Sequence, residues 1–212
     1  PPAPPPPPPA RPPDTRRSIR SPAALNGVVG FKPTYGLVSR AGVMGLSWSM
    51  DHAGPLTKTV KDAAHSMQVL AGYDPKDPTS VDMKIPDFAS ELDKGLKGLR
   101  VGIPQEYFYQ QCTEEVAGMV YKAITVLEEL GAEVREVSIP HAELGPSVNF
   151  AISFSEAAVV HKRLLRDRID EYSRDVGGRL LAGSLISADM YHKAQRVRSL
   201  IDSDIKTAMK DV

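Results

Sequence analysis

Apolar residues recur at helical spacing between Thr59 and Gly72, where Val60, Ala63, Ala64, Met67, Leu70 and Ala71 form one stripe. Thr59 is placed to cap that helix, Asp62 follows three residues later, and Gly72 ends it. A second block reads as strand, helix, strand. Leu99–Pro104 is a short apolar run. Thr113 caps a helix to Leu130 whose face carries Val116, Val120, Ala123, Ile124, Leu127 and Leu130. Gly131 stops it, and Ala132–Val137 alternates as a strand. This order predicts a parallel pair with a right-handed crossover.

Beyond Pro140 the pattern is mainly helical. Pro146–Arg168 carries Val148, Ile152, Ala157, Leu164 and Leu165, and Val176–Gly183 is a short helix. Ser187 caps a final helix from Ala188 to about Lys210, with Tyr191, Ala194, Val197, Ile201, Ile205 and Met209 at helical spacing. Residues 25–58 are different: glycines alternate with short apolar runs, Gly27–Phe31 and Leu37–Ser39, which read as short strands. Lys32–Gly36 is a turn and Asp51–Pro55 a loop. Asp74–Asp87, with three prolines and no period, is a surface loop. The predicted class is α/β.

Residues 1–13 hold ten of the 19 prolines. Such a tract lacks the amide donors for helix or ladder and should extend as polyproline II. A low-complexity linker or a misplaced gene start is the favoured reading. Pro6–Arg11 also fits a PxxPxR pattern for SH3-type grooves. The expected organisation is therefore a proline-rich arm, 1–13, and one partial domain, 14–212. The chain starts with Pro rather than Met, which is expected of a portion of a longer reading frame.

Composition narrows the function. With 26 basic and 26 acidic residues, no global positive field favours nucleic acid, and no direct nucleic-acid partner is expected. No apolar run reaches the roughly 18 residues of a membrane span, so no membrane partner is expected either. A lone cysteine, Cys112, points to a free thiol in a reducing, cytoplasmic setting. The five histidines show no metal spacing, no glycine-rich phosphate motif occurs, and no cofactor or metal is expected.

The chemistry-bearing stretch is Asp14-Thr15-Arg16-Arg17-Ser18-Ile19-Arg20-Ser21-Pro22-Ala23-Ala24. Pro12, Pro13 and Pro22 disfavour helix around Ser18, so Ser18 is expected in a loop. By itself it is an ordinary turn serine. Amide hydrolysis by serine needs an activated hydroxyl and donors for the developing oxyanion, which a loop of backbone N–H groups can supply.

The stretch continues through Gly27-Val28-Val29-Gly30-Phe31-Lys32-Pro33-Thr34-Tyr35-Gly36-Leu37-Val38-Ser39-Arg40, then Ser49-Met50-Asp51-His52-Ala53-Gly54-Pro55-Leu56-Thr57. This ordered series resembles the core of the amidase signature family, over about residues 14 to 212. The final helix, with Tyr191, Ala194, Gln195, Arg196, Val197 and Arg198, extends the likeness.

The resemblance implies an α/β/α fold with a central mixed sheet, incomplete at its N-terminal side. It implies hydrolysis of a small-molecule carboxamide to carboxylate and ammonia, with Ser18 as nucleophile. The oxyanion would be held by backbone N–H groups of Thr15, Arg16, Arg17 and Ser18. Arg20 and Asp51 would hold the loop together as architectural residues. A second serine and a lysine base would complete the proton relay, and both belong upstream in the family. Thirteen mostly proline residues precede Asp14, so neither is expected there, and Lys32 and Lys58 lie in other motifs. Arg16 and Arg17 replace two family glycines, whose backbone freedom arginine lacks. The chain alone is expected to lack useful amidase activity.

A stand-alone amidase is the first reading. The second is the tRNA-dependent amidotransferase, of which the chain would form part of the amidase-like component acting for glutamyl-tRNA. The third is a catalytically dead homologue binding partners through its proline arm. A homodimer, or amidotransferase partner subunits, are the corresponding assemblies.

Overall fold

A computed structural model describes residues 18–90 and 92–212. The proline tract, Thr15, Arg16 and Arg17 lie outside the described residues. The chain divides into two compact units: residues up to Asp93 with Ser153–Ser184, and Lys94–Ile152 with Leu185–Val212.

The first unit opens with α1 (Arg20–Asn26), where the proline pattern predicts a loop. Pro22 is harmless there, because the N–H it lacks falls in the first turn and has no helical acceptor. Gly27 closes α1 in the left-handed region, φ 62°, and its N–H donates to Ala23 O. Then β1 (Val29–Gly30) pairs antiparallel with β2 (Leu56–Thr57), Val29 opposite Thr57. The expected strand at Leu37–Ser39 shrinks to one bridge, Val38 with Ala71.

Helix α2 (Val60–Leu70) begins where the pattern placed it, Thr59 Oγ1 accepting from Asp62 N at 3.1 Å. Its buried Met67 packs with Leu37, Val38 and Ala53 in one core cluster. A second cluster joins Ala157, Leu165 and Leu180, with Leu46, Ile169 and Tyr172 packed against it.

In the second unit, β3 (Arg100–Pro104) and β4 (Glu133–Val137) pair in parallel across α3 (Glu114–Glu129), Arg100 opposite Glu133 and Pro104 opposite Val137. The predicted strand–helix–strand unit is therefore present. Thr113 caps α3, and Gly131 leaves it at φ 98°. The apolar face of α3 is not buried: Val116, Val120 and Leu130 are all exposed. The described part of this unit gives α3 only a two-stranded sheet to lie on.

Helix α4 (Gly145–Val160) runs from the second unit into the first. The single helix expected over 146–168 breaks at His161 (φ −90°, ψ 2°), and α5 (Lys162–Asp167) follows. At the break the buried His161 ring turns to Tyr172, its Nδ1 lying 2.8 Å from the Tyr172 hydroxyl. Helix α6 (Arg174–Ser184) packs against α4 so closely that a Cβ on Gly183 would collide with the Phe154 carbonyl. Helix α7 (Ala188–Ala208) starts at Ser187, whose hydroxyl accepts from Met190 N at 3.2 Å. The structure is thus α/β, with one antiparallel and one parallel two-stranded sheet among the described residues.

Candidate active site

Ser18 is exposed in the turn that enters α1. What fixes it is the next residue. Ile19 is fully buried, and two glycines make its seat. A Cβ on Gly30 would lie 2.8 Å from Ile19 O and 2.6 Å from Ala23 Cβ. A Cβ on Gly54 would lie 2.9 Å from Ile19 Cδ1 and would overlap Phe31 O. The first turn of α1 therefore rests on β1 and on the chain leading into β2. Arg20, exposed, is the first residue of α1.

Asp51 is buried and organises a loop of its own. Its Oδ2 accepts from Leu46 N at 2.8 Å and Ser47 N at 3.0 Å. The other side of that loop is held by Glu156, a carboxylate 1% exposed on α4. Glu156 Oε2 accepts from Ser47 Oγ at 2.5 Å and Ser49 N at 3.2 Å, and Oε1 from Ser49 Oγ at 2.7 Å. Such bonds are what a buried carboxylate requires.

Arg40 fastens the middle of the loop. Its Nη1 donates to Trp48 O at 2.9 Å and Asp51 O at 3.2 Å; its Nη2 donates to Tyr35 Oη at 3.0 Å and Thr79 Oγ1 at 2.7 Å. The Tyr35 hydroxyl also donates to Trp48 O. Asp77 accepts from Arg40 N at 2.7 Å and from Thr79 N and Oγ1 at 2.9 and 2.6 Å. Burial pushes its carboxyl up, but these bonds and the Arg40 charge outweigh burial and hold it below the usual carboxylate range.

The remaining sequence candidates sit apart from this arrangement. Cys112 is exposed, its Sγ 3.3 Å from Phe108 O. His52 Nδ1 lies 2.7 Å from Met50 O, so that nitrogen carries the proton. Among the described residues no group of three or more His, Cys, Asp or Glu could hold a metal, and no helix is long and apolar enough to cross a membrane.

A nucleophile-bearing turn seated on two glycines, ahead of a loop built around a buried aspartate, is the arrangement that the sequence motifs mark out. The Amidase family model matches residues 13–212. The chain belongs to the Amidase family. An amidase of Pseudomonas putida is 47% identical over 189 residues, covering 89% of this chain and 41% of that protein. The amidase-like component of the glutamyl-tRNA(Gln) amidotransferase of Marinobacter nauticus is 40% identical over 223 residues, covering 94% and 46%. An inhibitor-bound structure of a vestigial protein complex, tied to the evolutionary origins of an s-triazine catabolic enzyme, superposes with a TM-score of 0.88 at 32% identity. It covers 96% of this chain and 44% of that one. The chain spans less than half the length of the curated relatives it matches.

Within this amidase chain, sequence reasoning overlooked Arg40, Ser47, Trp48 and Glu156. Glu156 did leave a signal: it is a lone carboxylate in the otherwise uncharged stretch Phe150–Val160.

Proposed function

We propose that the protein carrying this chain hydrolyses a small-molecule carboxamide, R–CO–NH₂, to a carboxylate and ammonia. Ser18 attacks the carbonyl, ammonia leaves, and water releases the acyl group from Ser18. The backbone N–H groups of Thr15, Arg16, Arg17 and Ser18 bind the oxyanion, while Arg20 and Asp51 keep the surrounding loops in place. The observation that supports this most is the exposed Ser18 directly before a fully buried Ile19. A hydroxyl presented to solvent on an immobile neighbour suits a nucleophile.

The proton relay that the resemblance assigns to a second serine and a lysine is not transferred to residues of this chain. Turnover is therefore proposed for the longer protein, with 14–212 as a partial domain behind a proline-rich arm, acting in the cytoplasm. Likeness to the Marinobacter nauticus amidotransferase supports a second reading, in which partner subunits of an amidotransferase are needed.

The deciding experiment combines covalent labelling with turnover. A fluorophosphonate should attach to Ser18, located by peptide mass spectrometry, and Ser18→Ala should abolish both labelling and ammonia release by the longer protein. Ammonia release that survives Ser18→Ala sinks the proposal. Activity seen only after adding partner subunits favours the second reading.

A further inference from the structure

Inside the first unit a cavity of about 250 Å³ opens beside Trp48. Its polar wall is already committed. Four Arg40 N–H groups point at Trp48 O, Asp51 O, Tyr35 and Thr79. Arg40 Nε is shut away from solvent, 3.7 Å from Asp77 Oδ2. Asp51 and Asp77 are occupied by the backbone and hydroxyl donors described above. What remains for an entrant is carbon, from Val43, Trp48, Pro78 and Val160, with Lys76 on the wall. Polar or charged ligands would lose their hydration there without finding partners.

Trp48 itself is half exposed. A free loop would fold such an indole onto the protein. This loop is held, because Trp48 O accepts from Tyr35 and Arg40, and the serines on either side are bonded to Glu156. A rigid aromatic face beside a cavity whose polar groups are satisfied is a recognition surface for a flat apolar group. The wall is also continuous with the seat of the nucleophile: Gly54, which takes Ile19 against it, follows Asp51 by three residues.

We propose that this cavity is the subsite for the R group of the amide, and that R is an uncharged group built on a single aromatic ring. The substrate role rests on the amidase reading above. Size agrees: an apolar cavity of about 150 Å³ holds benzene, so the larger space here accommodates a substituted ring.

Trp48 is the only tryptophan of the chain and therefore reports on its own cavity. Benzamide titrated into the full chain should change its emission saturably, and acetamide should leave it flat. Val160→Arg and Val43→Arg, each at a solvent-exposed wall position, should weaken benzamide by about tenfold or more with an unchanged far-UV spectrum. If one variant fails to fold, the other carries the test. No saturable response, an acetamide response equal to that of benzamide, or benzamide affinity indifferent to both arginines overturns the proposal. Fluorophosphonate labelling of Ser18 is read separately. Benzamide binding without labelling keeps the aromatic cavity and defeats the amidase reading; labelling without benzamide binding does the reverse.

Discussion

Glu156→Ala should be among the most damaging single changes in the first unit. Removing the carboxylate deletes three hydrogen bonds, two from serine hydroxyls and one from Ser49 N. Ser47 is fully buried, so its hydroxyl loses its acceptor out of reach of water, at about 1–3 kcal/mol. The Ser49 groups are only part-buried and can rehydrate, so their loss costs about 1 kcal/mol together. Relief from burying a carboxylate works in the opposite direction. The net expectation is about 2–4 kcal/mol of destabilisation, read as a lower urea midpoint at unchanged slope. Trp48 fluorescence follows the transition from within the affected loop.

Ser47→Ala separates the terms of this estimate. If the orphaned hydroxyl dominates, the double variant should be less destabilised than the sum of the two single changes. Additive losses, or a Glu156→Ala chain as stable as the parent, would refute the reasoning. The carboxylate would then be a tolerated burden rather than the fastening of the loop.

Other expectations follow from the same geometry. Gly54→Ala should cost about 1–3 kcal/mol by overpacking, since its Cβ meets Ile19 and the Phe31 carbonyl; a thermal melt checks it. Ser18→Ala, at an exposed turn, should leave stability within about 0.5 kcal/mol while eliminating fluorophosphonate labelling. The Asp204 carboxyl accepts from His141 through ring Nδ1 and backbone N, at 2.8 and 3.1 Å, and the ring bond chiefly holds it below its ordinary value of 3.8. A depressed folded value gives stability that is complete above the unfolded pKa and is lost as pH falls through the folded one. His141→Ala should therefore flatten the acid limb of urea midpoints measured between about pH 5 and about pH 2.

The legible parts of the fold were those with local punctuation. In the β3–α3–β4 unit, Thr113 caps, Gly131 turns through positive φ, and the apolar period changes between strand and helix. Burial was less legible than pattern: the stripe on α3 exists, yet its exposure depends on what packs against it, which no period encodes. The break at His161 depends on Tyr172, and the loop clamp joins Glu156 to serines more than a hundred residues earlier. Pro22 misleads because a proline stops a helix only when its missing N–H would have been used. At the site, motif residues could be placed on the sequence. The glycine seat under Ile19 became visible only when distances were known.

The loop from Leu46 to Asp51 is neither helix nor strand, yet its amides at 46, 47, 49, 50 and 51 all donate to internal acceptors. Irregular backbone of this kind should exchange its hydrogens as slowly as a helix interior, against the usual behaviour of connecting segments. The consequence is thermodynamic. A guest arriving beside Trp48 meets a wall whose conformational entropy was surrendered during folding, so little of its contact energy is diverted into ordering the host.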